Sequence, residues 1–270
     1  MISFCLALCS ALGACGLFYL TGLTDRWYWY WLPIPMACAL YILLFALFLL
    51  FACLVSIFVD KAKPVLKPKK FFYWCSVWAS RQLVWLSGAR VKASGLEKLP
   101  DRRFLLVYNH LSAFDPLVIL SVLKRRNIVC ISKPENEEIP VCGEFMHESG
   151  FLTINREDPR KALPVINKAA QWIRDDIASV AIAPEGTRNR TSETLLPFKP
   201  GALSIARRAD APLVVVTLTG TNLITKNLPW KRTPVTMEIC GVVSAEEAAS
   251  LRPQELSAKV REIMLAHLPR

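Results

Sequence analysis

Charge is missing from two long stretches at the start of the chain, Met1 to Leu23 and Pro33 to Val59. As helices at about 1.5 Å per residue they would reach roughly 34 and 40 Å, against a bilayer hydrocarbon core of about 30 Å. Between them lie Asp25, Arg26 and the aromatic run Trp27-Tyr28-Trp29-Tyr30-Trp31. Such rings suit the headgroup layer, where an apolar face and a polar edge are both satisfied. Lys61, Lys63, Lys67, Lys69 and Lys70 follow the second stretch. Bases at a membrane exit favour the cytoplasmic side. The pattern predicts an N-terminal two-helix membrane hairpin over residues 1–60, with the rest of the chain on the cytoplasmic face (of the plasma or inner membrane in a bacterium). A re-entrant hairpin fits as well, because Pro33 and Pro35 open the second stretch. A cleaved leader fits poorly, since no base precedes the first stretch; Leu12-Gly13-Ala14-Cys15 leaves a lipoprotein site open. Residues 61–90 read as a basic linker and an aromatic helix that either lies in the interface or packs on the core.

From residue 91 the pattern becomes short apolar runs alternating with amphipathic stretches. Phe104–Tyr108, Ile128–Ile131, Phe151–Ile154, Val180–Ala183 and Leu213–Leu218 read as buried strands, and Val235–Val243, which alternates, as an edge strand. Asp158 and Pro159 open a helix whose apolar stripe is Ala162, Val165, Ile166, Ala169, Ile173 and Ile177. Ser244 and Glu247 have capping-box spacing, and Leu256, Val260, Ile263 and Met264 mark a last helix. The alternation predicts an α/β domain over 91–270, with a largely parallel or mixed sheet flanked by helices. In such sheets function gathers in loops beyond the carboxyl ends of strands.

Composition sharpens this division. Of 270 residues 53% are hydrophobic, and the formal net charge is +11. Residues 1–59 hold one acid and one base, whereas the remainder holds 32 bases and 21 acids. A disulfide-stapled miniprotein and a disordered chain are excluded. The nine cysteines show no paired metal spacing, and with only His110, His147 and His267 a protein-built metal site is not expected. The odd cysteine count fits a reducing compartment. A nucleic-acid partner is not expected either: no recognisable module is present, and anionic lipid accounts for the basic balance beside an anchor.

The unusual residues sit in loops after strands. Asn109-His110-Leu111-Ser112-Ala113-Phe114-Asp115 places a His and an Asp five positions apart across a loop into a helix start. The carboxylate can take the imidazole Nδ1–H and leave Nε2 as a base. The same residues also suit a His that caps a helix with Asp115 as an ordinary first-turn acid. No Gly-x-Ser-x-Gly elbow is present, so a nucleophile would come with the substrate as a hydroxyl, Ser112 being the in-chain alternative. Backbone N–H groups at the helix start after His110 are the expected oxyanion donors. Pro184-Glu185-Gly186-Thr187-Arg188 follows another strand and Asn155-Arg156 a third; Lys133 and Lys199 also lie in loops. Together these bases suit an anion site or an exposed basic loop.

Asn109-His110-x4-Asp115, Gly150-Phe151-Leu152-Thr153-Ile154-Asn155-Arg156 and Pro184-Glu185-Gly186-Thr187-Arg188, in this order, resemble the motifs of the glycerolipid acyltransferases. They look most like those of the 1-acyl-glycerol-3-phosphate (lysophosphatidic acid) acyltransferases, over roughly residues 90 to 220. The resemblance implies acyl transfer from acyl-CoA or acyl-carrier protein, with no cofactor, to a lysophospholipid hydroxyl, giving phosphatidic acid where the acceptor is lysophosphatidic acid. By the same likeness His110 would be the general base and Asp115 its orienting partner. Arg156, Glu185, Gly186, Thr187 and Arg188 would bind the acceptor's glycerol phosphate, and Ala211–Val216 would be a strand near the acyl donor. The partners implied are the phospholipid bilayer, lysophosphatidic acid and the acyl donor. Asn155 stands where the family often has an acid and Val215 where it often has proline. These departures leave another lysophospholipid or a lyso-aminolipid open as acceptor. A membrane-anchored lipid-binding protein without activity is the alternative of another class.

Overall fold

The computed structural model describes residues 2–21, 31–154 and 159–269. They fall into two compact units, residues 1–60 and 61–270. In the first, α1 (Ile2–Leu20) packs on α2 (Pro33–Ile57). The approach is close at Gly13, where an added Cβ would stand 2.7 Å from Leu40 Cδ2. Among the described residues one helix, α2, is long and apolar enough to cross a membrane, and Cys5–Leu20 is a shorter apolar helix. The expected aromatic run falls mostly on residues 22–30, outside those described.

In the second unit, α3 (Lys70–Leu86) leads into β1 (Ala89–Ser94), β2 (Leu105–Tyr108), α4 (Phe114–Val122), β3 (Ile128–Ser132), α5 (Cys142–Glu148) and β4 (Leu152–Thr153). Then come α6 (Pro159–Arg174), β5 (Ser179–Ile182), α7 (Pro200–Ala209), β6 (Leu213–Thr219), α8 (Ile224–Asn227), β7 (Thr233–Val243), α9 (Ala245–Ser250) and α10 (Pro253–His267). The strands form one mixed sheet in the order β1-β7-β6-β2-β5-β3-β4. From β6 to β4 every pairing is parallel, so the carboxyl ends of β2, β3, β4, β5 and β6 share one end of the sheet. β7 runs antiparallel to β6, and β1 lies parallel to β7.

One expectation needs correction. Val235–Val243 belongs to an interior strand, not an edge; the edge on that side is β1, which the sequence reading missed. Its Arg90 and Lys92 are exposed, and outward charge on an edge discourages pairing with another chain. Residues 61–90 lie inside the second unit. There α3 buries Cys75, Val77, Ser80 and Val84, while the Tyr73 hydroxyl accepts the Ile128 N–H at 2.8 Å. The same helix keeps Trp74, Leu83 and Trp85 exposed.

β2 is buried throughout because both faces of the sheet are covered. Leu105 and Val107 join a core with Trp172 of α6, Leu203 of α7 and Val260 and Met264 of α10. Leu106 and Tyr108 face the other way, toward Val77 and Val84 of α3 and Val118 and Ile119 of α4. Truncating a leucine in such a layer costs about 2–5 kcal/mol. The strand end from which His110 departs is therefore held by packing on both faces.

Candidate active site

At the end of β2 the Asn109 side chain takes over the role of strand backbone. Its Nδ2 donates to the Leu218 carbonyl at 2.9 Å and its Oδ1 accepts the Leu218 N–H at 2.7 Å. This buried pair ties the chain to β6 just before His110 leaves the sheet.

The His110 main chain is held by the loop that follows β5. Its N–H donates to Glu185 Oε1 at 2.7 Å, and its carbonyl accepts the Asn189 N–H at 2.7 Å. The other Glu185 oxygen accepts the Leu196 N–H at 3.0 Å. Burial pushes the Glu185 carboxyl above the usual carboxylate range, opposed by the His110 and Leu196 N–H bonds and assisted by the nearby Asp115 charge. Both Glu185 oxygens are thus spent on backbone. Glu185, expected in the glycerol-phosphate site, lies beneath the His110 backbone on the loop that also carries Gly186, Thr187 and Arg188.

The His110 ring is fixed by Asp115, in the first turn of α4. Nδ1 and Asp115 Oδ2 are 2.8 Å apart, and that oxygen also accepts the N–H groups of Leu111 at 2.7 Å and Ser112 at 2.8 Å. The remaining oxygen, Oδ1, accepts the Thr221 hydroxyl at 2.5 Å. Asp115 and Thr221 are both fully buried, whereas the His110 side chain keeps 13% exposure. A carboxylate that only accepts assigns the proton to Nδ1, which turns the Nε2 lone pair outward. The ring meets Tyr108 edge-on, with centroids 6.1 Å apart.

The same bonds bear on two further expectations. Leu111 and Ser112 N–H are committed to Asp115, and the Phe114 N–H donates to Ser112 Oγ at 3.2 Å. These groups are taken, so they are not available as oxyanion donors. Ser112 is buried and its hydroxyl serves that turn, which is the part of a cap rather than of an in-chain nucleophile.

Gly186 turns the β5 loop with a φ of +73°, a conformation glycine adopts without strain. The Lys199 side chain lies across it, 3.3 Å from where a Cβ would stand. Thr187 and Arg188 follow on the exposed side of the loop. Asn189 closes it, accepting the Thr191 N–H at 3.0 Å and Thr191 Oγ1 at 2.9 Å and donating to the Glu193 carbonyl at 2.7 Å. Lys133 is exposed beyond β3. Arg156, expected with Arg188 around the phosphate, lies outside the described residues.

The fold thus brings His110, Asp115 and Glu185 into contact and sets Gly186, Thr187 and Arg188 on the loop that holds the His110 backbone. Sequence reasoning missed Asn109 as a bridge, Asn189 as a clamp and Thr221 as the partner of Asp115. A polar Gly220-Thr221-Asn222 at the carboxyl end of an apolar strand was the one available signal for the last.

Residues 90–219 match the family model described as Acyltransferase. The chain is 29% identical over 181 residues to the 1-acyl-sn-glycerol-3-phosphate acyltransferase of Saccharomyces cerevisiae, covering 66% of this chain and 59% of the relative. It is 30% identical over 163 residues to the enzyme of that name from Haemophilus influenzae, covering 60% of this chain and 67% of the relative. The chain therefore spans about three fifths of the length of the yeast relative. The crystal structure of the 1-acyl-sn-glycerophosphate (LPA) acyltransferase PlsC from Thermotoga maritima superposes with a TM-score of 0.55 at 22% identity, over 81% of this chain and 93% of that one. That likeness shows a shared fold. With the match at residues 90–219 and relatives of one name in bacteria and yeast, this chain belongs to the 1-acyl-sn-glycerol-3-phosphate acyltransferase family.

Proposed function

We propose that the chain moves a fatty acyl group from acyl-CoA or acyl-carrier protein to the free hydroxyl of 1-acyl-glycerol-3-phosphate, giving phosphatidic acid. The observation that carries this reading is the 2.8 Å contact between His110 Nδ1 and a fully buried Asp115. An alcohol is a poor nucleophile at neutral pH. With its proton within about 3 Å of Nε2, attack and deprotonation coincide, worth typically about 10²–10⁴-fold.

The acceptor oxygen bonds to the thioester carbonyl carbon while Nε2 takes its proton. The transient imidazolium is stabilised by the Asp115 charge. Collapse of the tetrahedral adduct breaks the C–S bond, and the sulfur leaves with the proton from Nε2. The products are an ester and a free thiol, and the imidazole is neutral again. A thioester is already activated, so the step needs no metal or cofactor.

Arg188, Thr187 and the Gly186 turn would hold the acceptor phosphate together with Arg156, and Glu185 would act through the backbone of His110. Holding the phosphate aims the hydroxyl at the ring and lowers the entropic part of the barrier. The helices of residues 1–60 would form a membrane hairpin that keeps the second unit on the cytoplasmic face, where acceptor and product exchange with the bilayer without entering bulk water. The test is His110→Ala in the purified full chain, assayed with both donor types. Turnover should fall about 10²–10⁴-fold while lysophosphatidic acid binding survives; turnover within a few-fold of the parent protein overturns the reading.

A further inference from the structure

The connection between β6 and β7, residues 220–232, begins at the dyad and ends on the surface. Thr221 is fully buried and donates to Asp115 Oδ1. Nine residues later Trp230 is 90% exposed, flanked by exposed Lys231 and Arg232. The end of α3 meets this connection directly. The Thr233 N–H donates to the Gly88 carbonyl at 3.2 Å, and a Cβ on Gly88 would stand 3.8 Å from Arg232 Cα. Just before Gly88, Trp85 is 74% exposed and Leu86 66%. Trp85, Leu86 and Trp230 are thus exposed on two segments that meet at Gly88 and Arg232, with Lys231 and Arg232 exposed on the second.

Their position follows from the topology. β7 starts where β6 ends, with Thr236 opposite Thr219, and β1 starts opposite Thr233. Since β2 and β6 are parallel neighbours, this patch lies at the same end of the sheet as His110. The charge around it has one sign. No acid occurs between Gly220 and Met237, nor between Arg81 and Leu96, where Arg81, Arg90 and Lys92 stand. An exposed apolar patch rimmed by charge marks a contact site, and tryptophan beside lysine and arginine is the composition that settles at an anionic lipid surface.

We propose that this patch docks on an anionic phospholipid bilayer, and that the 220–232 connection thereby fixes the height of the dyad at the lipid surface. The contact belongs to the second unit and is separate from the hairpin assigned to residues 1–60. It rests on the acyltransferase reading only for its purpose, namely to hold the base level with the headgroup that carries the acceptor hydroxyl.

The test uses the full chain in vesicles of phosphatidylcholine and phosphatidylglycerol. Benzoylphenylalanine placed at Trp230 should form a lipid adduct on illumination. The same probe at Asp101, exposed at the opposite end of the sheet, should not. In a second arm, Lys231→Glu with Arg232→Glu should slow transfer to a long-chain acceptor embedded in the vesicles about thirtyfold or more, each of the two bases near an anionic surface being worth about 1 kcal/mol. Transfer to a short-chain acceptor in free solution should change less than about twofold. Absence of the lipid adduct, an adduct to a second copy of the chain, or equal slowing with both acceptors overturns the proposal. The adduct requires no turnover. A protein that forms it but transfers nothing overturns the acyltransferase reading alone, and one that transfers without it overturns the docking alone.

Discussion

Two loops leave the carboxyl ends of the neighbouring strands β2 and β5, and they are built in opposite ways. In the first, residues 109–115, the polar groups turn inward: Asn109 pairs with β6, and Asp115 collects three N–H groups and a hydroxyl. In the second, Glu185 and Asn189 turn inward onto the His110 backbone, while Thr187, Arg188 and Arg190 stand exposed. The difference separates two tasks. A base must hold one geometry before the substrate arrives, because reorganisation during the reaction would raise the barrier. Groups that grip a phosphate can be ordered by the ligand itself, at some cost in side-chain entropy.

The largest expected effect tests the buried loop. In Asp115→Asn the amide oxygen can keep the three N–H bonds of Oδ2, and the amide nitrogen then faces Thr221, whose hydroxyl can turn to accept. The geometry survives and the charge does not. kcat should fall about 10²-fold or more, with acceptor KM within a few-fold, because the imidazolium loses its stabilising charge. An equal loss in KM would mean that Asp115 shapes the acceptor site instead. Arg188→Ala should do the reverse. Losing one charge-assisted bond of about 1.5–3 kcal/mol should raise acceptor KM about tenfold or more, with donor KM and kcat nearly unchanged. A fall in kcat alone would place Arg188 with the dyad and erase the contrast between the loops.

How much of this was legible in the sequence depends on how far the deciding contact lies along the chain. His110 and Asp115 are five positions apart, so a strand end followed by a helix start is enough to bring them together. Thr221 lies 106 positions from Asp115 and meets it because β6 is paired beside β2. No local pattern carries that. The apolar runs of β2, β5 and β6 announced buried strands because both sheet faces are covered. The alternation of Ala89-Arg90-Val91-Lys92-Ala93-Ser94 did not, because an edge strand next to an aromatic helix blends into its end. The direction of β7 was equally hidden. A parallel return needs a crossover packed on the sheet, whereas residues 220–232 supply only short helical turns and bring the chain back antiparallel. The backbone bonds of Glu185 were hidden for a related reason: their partners, His110 and Leu196, lie 75 and 11 positions away along the chain.

Glu185 joins the two loops, and its titration gives the smallest and most discriminating effect. Its folded carboxyl is raised above the usual range, chiefly by burial. A group of this sign contributes stability that is fully present below its unfolded pKa and is lost as pH rises through the folded value. Glu185→Gln removes that slope. Its amide oxygen can still accept the His110 N–H, but its amide nitrogen then faces the Leu196 N–H, donor against donor. The variant should therefore melt lower at acid pH, by about 2–4 °C for each kcal/mol lost in a protein of this size. The gap between parent and variant should narrow as pH rises from the ordinary carboxylate range toward neutrality, read as thermal midpoints at several pH values. A gap that widens with pH would mean the His110 and Leu196 N–H bonds outweigh burial and hold the carboxyl below its ordinary value. Glu185 would then be a charged strut between the loops rather than a strained one.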